Sequence, residues 1–117
     1  MRVLVVDADW DLREMVADLL LDSKVEVLGA ASADEALLLL RGEPVDVVLC
    51  HLPILRARDR RLRRRLASLP TSPRVVAMSA SGIRATGEEA DASLAKPFTR
   101  SQLLAALRLR YSGSDPR

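Results

Sequence analysis

The sequence predicts an α/β fold: a single doubly wound, five-stranded parallel sheet in the order 2-1-3-4-5. Three observations predict it. Short apolar runs of strand length alternate with stretches whose apolar residues recur at helical spacing. Those runs are continuous rather than alternating, as in sheets covered on both faces. Finally, the runs end on side chains that can do chemistry, namely Asp7, His51, Ser79 and Lys96. A parallel sheet collects such ends on one edge, where open α/β folds place their sites. Right-handed crossovers leave few topologies for this series, and 2-1-3-4-5 leads them.

The elements follow in order. Val3, Leu4, Val5 and Val6 make a first buried strand that stops at Asp7. Leu12, Met15, Val16, Leu19 and Leu20 recur at helical spacing, with Asp9 or Asp11 as N-cap. Residues 25–28 are a short second strand. Ser32-Ala33-Asp34-Glu35 spells a capping box, in which the hydroxyl takes an orphan amide and the glutamate reaches back. The helix that follows stops near Gly42, with Pro44 beyond it. Residues 45–50 form the third strand, closed by His51. Leu55, Leu62, Leu66 and Leu69 fall on one face of a helix that ends before Pro70. Residues 74–78 are the fourth strand, ending on Ser79. The small, polar residues 80–91 hold at most a short helix, so the fourth helix of the series is short or missing. Residues 92–95 are a weak fifth strand. Thr99 to Gln102 forms a second capping box and opens a last helix that runs to about residue 110. Residues 1–110 thus make one domain, and residues 111–117 a polar tail or linker.

A chain of 117 residues suits one domain. Aromatics are only 3% of it, so the core must be mostly Leu, Val and Ala. No run has the length of a membrane span, and no secretory leader is visible, because the first apolar run stops at Asp7. The single Cys50 sits inside a strand and reads as a buried thiol in a reducing compartment. These points predict a cytoplasmic protein that does not engage membranes. Net charge is +2, but residues 1–50 carry eleven acids against four bases, and residues 51–117 carry fourteen bases against five acids.

With Val3-Leu4-Val5-Val6-Asp7, a third strand ending at position 51, Ser79 closing the fourth and Lys96-Pro97-Phe98 after the fifth, the chain resembles a bacterial response-regulator receiver domain. The likeness to this CheY-like (flavodoxin-like) family spans residues 1–110 and rests on the order and spacing of the landmarks together. It implies a two-component signalling role. In the family, a histidine kinase passes a phosphoryl group to an aspartate at the end of the third strand. Two acids after the first strand help that aspartate hold Mg²⁺. A Ser or Thr and a Lys bind the phosphoryl oxygens. This chain departs from the pattern where the chemistry lies. His51 stands at the phosphoacceptor position, and the acid pair has become Asp7-Ala8, with Asp9 as a partial substitute. Ser93 occupies the switch position three residues before Lys96, where the family often has an aromatic, and Pro53 comes earlier than usual.

These departures compound. Mg²⁺ needs hard oxygen ligands, and imidazole suits Zn, Cu or Ni better. Without a carboxylate at 51 no acyl phosphate can form there. Asp46 lies at the opposite end of the same strand, about 16 Å away at the usual rise per residue, and Asp59 lies on the following helix. The pattern therefore predicts no catalytic residue, no metal site and no cofactor, with Mg²⁺ binding weak or absent. It predicts that His51 fills the space of the lost aspartate and hydrogen-bonds Asp7, and that Lys96 pairs with Asp7 as a structural contact. The chain is then not an enzyme. It is a pseudo-receiver that binds a protein partner, a signalling protein or an output domain, without aspartyl phosphorylation. An alternative is a phosphorelay member that accepts the phosphoryl group on His51, since imidazole is a nucleophile.

Arg56, Arg58, Arg60, Arg61, Arg63, Arg64 and Arg65 crowd into ten residues. A solvated helix face, with long stems shielding the core, accounts for such a run. The functional alternative is an anionic partner. No aromatic interleaves the arginines and no nucleic-acid module surrounds them, so a protein partner is favoured over nucleic acid. The acidic first half of the chain is itself a candidate, which would give a homodimer or head-to-tail association.

Overall fold

The computed structural model describes residues 1–58, 60–80 and 83–108. Asp59, Gly82, the expected end of the last helix near residue 110 and the tail at 111–117 lie outside the described residues. The strands β1 (Arg2–Val6), β2 (Glu26–Ala30), β3 (Val47–His51), β4 (Arg74–Ala80) and β5 (Ala92–Lys96) form one sheet in the order β2-β1-β3-β4-β5. All four pairings are parallel, so the sheet has the predicted order.

Alternation along the strands divides the core in two. Val3 and Val5 of β1, with Val47 and Leu49 of β3, pack under α1 (Trp10–Leu19) and α5 (Arg100–Leu107). Leu4 and Val6, with Val48 and Cys50, pack under α2 (Ala33–Gly42), α3 (Leu52–Leu55) and α4 (Arg61–Ser68). Val3 to Val6 are fully buried because β1 lies centrally and is covered on both sides.

The helix starts follow the local chemistry. Asp9 caps α1, its carboxylate accepting from the amides of Asp11 and Leu12. Thr99 and Gln102 form a reciprocal capping box on α5. At α2, Ser32 accepts from the Glu35 amide, but Glu35 reaches one residue further back than in a box, to the Ala31 amide at 2.8 Å.

Two expectations need correction. The arginine-rich segment is not one helix: α3 ends at Leu55, α4 starts only at Arg61, and Arg60 sits in the left-handed region at φ 54°. An L-residue there costs about 1–2 kcal/mol. The break places Leu55 at the end of α3 while Leu62 and Leu66 of α4 still reach the same core. In addition, β3 begins two residues later than the apolar run and takes in His51, because Val45 packs below the sheet before the ladder starts. Between β4 and β5 there is no helix among the described residues.

Candidate functional site

Parallel register brings the chemically active strand ends to one edge. Val6 pairs with Cys50, His51 with Met78 and Ala80 with Lys96, which aligns the ends of β1, β3, β4 and β5. Asp7 follows β1 directly and is buried, at 3% exposure. Its Oδ1 accepts from the Asp9 amide at 2.9 Å. Its Oδ2 accepts from Lys96 Nζ at 2.7 Å. Its backbone carbonyl accepts from Arg13 Nη1. Arg13 runs across β2, where a Cβ on Gly29 would come within 3.3 Å of its Cδ.

His51 does not hydrogen-bond Asp7 as expected. Its Nδ1 is 3.7 Å from Asp7 Oδ2 but 3.1 Å from Lys96 Nζ. An ammonium has only donors, so Nδ1 is the acceptor and the ring proton sits on Nε2. Lys96 is thus the hub, donating to a carboxylate and an imidazole at once. Ser79, also buried, donates its hydroxyl to the Ile83 carbonyl. Ser93 accepts from the Ala85 amide at 2.8 Å. Both hydroxyls therefore fasten the β4–β5 connection.

Residues 3–108 match the family model of the response regulator receiver domain. The chain belongs to that family. Among solved structures, this receiver is 24% identical to the chemotaxis response regulator CheY4 of Vibrio cholerae, covering 92% of this chain and 95% of that one at a TM-score of 0.77. It is 22% identical to a CheY-like receiver domain from Methylobacillus flagellatus, covering 92% and 96%, also at 0.77. These two likenesses show the fold. NtrX from Brucella abortus is 27% identical at a TM-score of 0.77, and the match covers 92% of this chain but 25% of NtrX. No curated protein sequence matches the chain. No helix among the described residues is long and apolar enough to cross a membrane.

The family implies Mg²⁺, and the donor set of this receiver does not fit it. Asp7 Oδ2 already faces an ammonium and Oδ1 an amide. Asp9 Oδ1 is committed to the α1 cap. Ala8 offers no ligand, and position 51 offers an imidazole in place of a hard oxygen. Among the described residues no group of three or more His, Cys, Asp or Glu is placed to hold a metal ion. Cys50 is inert: burial, then the Asp7 charge, pushes its thiol up to about 12.

The arginine segment divides by role. Arg56 grips Glu89 with two hydrogen bonds, at 2.6 and 3.0 Å. Arg63 donates to the Glu88 carbonyl at 2.9 Å. These two pin the β4–β5 connection from below. Arg61 pairs with Asp34 of α2 at 2.6 Å. Arg58, Arg60, Arg64 and Arg65 are exposed, with no side-chain partner among the described residues.

The Arg56 hydrogen bonds, then the Thr86 amide, hold the Glu89 carboxyl down at about 2 from an ordinary 4.5. A lowered folded-state value stabilises above the ordinary value and is lost on protonation. The loop pin should therefore be intact above pH 4.5 and weaken progressively as pH falls toward about 2. Urea melts across that window are expected to show a decline that Glu89→Gln flattens. The pairing of Glu89 with Arg56, 33 residues away, leaves no local sequence signal. Arg13 is likewise missed, although a long cation six residues after Asp7, on the first helix, is a hint.

Proposed function

We propose that this receiver acts as a protein-interaction module in two-component signalling, outside the aspartyl-phosphorylation cycle. Lys96 carries the reading, because its ammonium is held between Asp7 Oδ2 and His51 Nδ1. In an acceptor site the lysine must meet an incoming phosphoryl oxygen and the acid pair must hold a cation. Here the cation beside Asp7 is the lysine itself. The chain has no carboxylate at 51 and turns Ser79 toward Ile83. A non-enzymatic, cytoplasmic role belongs to this reading, together with a receiver domain of residues 1–110 and a polar tail or linker at 111–117.

The phosphorelay alternative is weaker for a specific reason. Attack requires an imidazole lone pair, and that of Nδ1 accepts from Lys96 while Nε2 carries the proton. Incubation with acetyl phosphate and Mg²⁺, followed by intact-mass measurement, is expected to leave the chain unmodified. A hydroxylamine-labile phosphate would sink the proposal outright. An acid-labile, base-stable phosphate lost in His51→Ala would replace it with the relay reading.

A further inference from the structure

Two helices on opposite sides of the sheet, α1 and α4, present faces of opposite charge. On the α1 side, Asp11, Glu14, Asp18 and Asp22 are exposed and have no ion pair among the described residues. Spacings of three and four residues put them on one face of α1 and the turn after it. Trp10 (62% exposed) and Leu21 (76% exposed) bracket the same face. On the opposite side, the helix α4 carries Arg64 and Arg65, with Arg60 at its N-cap and Arg58 before it, all exposed and unpartnered among the described residues. Leu62 and Leu66 point the other way, into the core under β3 and β4.

The acidic face of α1 and the basic face of α4 cannot meet within one molecule, because α1 packs on one side of the sheet and α4 on the other. We propose that the basic face of α4 docks a second copy of this chain through that copy's acidic α1 face. The argument is charge complementarity: four unpaired cations face outward on one layer, and four unpaired anions on the other. Trp10 and Leu21 supply apolar area that a contact made of charges alone would lack. The two patches differ, so the contact is heterologous. Head-to-tail addition then gives rings or open chains rather than an isologous pair.

Analytical ultracentrifugation of the whole chain tests this. The expected result is concentration-dependent association at low salt. It should weaken at least about tenfold as the screening length falls from about 30 Å at 0.01 M to about 3 Å at 1 M. Two charge reversals on exposed, unpartnered positions sharpen the test: Glu14→Arg with Asp18→Arg, and Arg64→Glu with Arg65→Glu. Each variant alone should sediment as a monomer, since reversing two of a face's four charges leaves that face with no net charge to attract the other. An equimolar mixture should pair again, because the unaltered basic face of one variant meets the unaltered acidic face of the other. A wild type that stays monomeric at low salt overturns the proposal without any variant. So does a reversal that leaves association intact, or a mixture no more associated than its parts. Binding of a DNA duplex by an otherwise monomeric wild type would assign the arginine face to nucleic acid instead.

Discussion

Replacing Lys96 by Met should destabilise the domain by about 2–3 kcal/mol, the largest loss expected from any single exposed or half-buried position. Removing one partner of a buried ion pair typically costs about 3–5 kcal/mol, because the other charge is stranded. The Asp7 side chain is only 4% exposed, and Lys96, at 25%, moderates the figure toward the lower end. Asp9 keeps its amide on Asp7 Oδ1 in either case, so the backbone turn after β1 should survive. In thermal melts the variant should lose roughly 10–15 °C. Asp7→Asn combined with Lys96→Met should recover most of the loss, since no charge is then left buried. A double-mutant cycle with no coupling would mean that Lys96 does not compensate Asp7.

The second large effect is a gain. Ala8→Asp with His51→Asp should raise Mg²⁺ affinity well above that of the wild type, read as heat in titration calorimetry. Two added carboxylates beside Asp7 supply the hard oxygens that the present donor set lacks, and they can draw the Lys96 ammonium away from Asp7 Oδ2. His51→Asp alone should bind much more weakly, because Ala8 still leaves the acid pair incomplete. Calorimetry that stays silent for the double variant would show that the pocket has changed in shape as well as in ligands.

Much of the fold was legible because its signals are local. Val3 to Val6 read as a central strand because a strand buried on both faces has no polar interruption. The Asp9 and Thr99 caps were legible because N-caps are chosen by side chains within three residues. The division between α3 and α4 was not, because the left-handed residue that makes it is Arg60 rather than a glycine. At the site, the sequence put Asp7, His51 and Lys96 on one edge. Which imidazole partner wins is a matter of less than an ångström, 3.1 against 3.7 Å, and no residue pattern encodes it. The engagement of Ser79 with Ile83 was hidden for the same reason: it depends on the path of a connection with no helix among its described residues.

The Ser93 hydroxyl on the Ala85 amide has a thermodynamic corollary. Where an aromatic ring would need room to rotate, Ser93 has only one neutral hydrogen bond to surrender, a contact worth about 1 kcal/mol net. Displacing the segment around Ala85 from β5 is therefore inexpensive at this contact. A binder that prefers the displaced form by about fivefold in affinity would recover that cost.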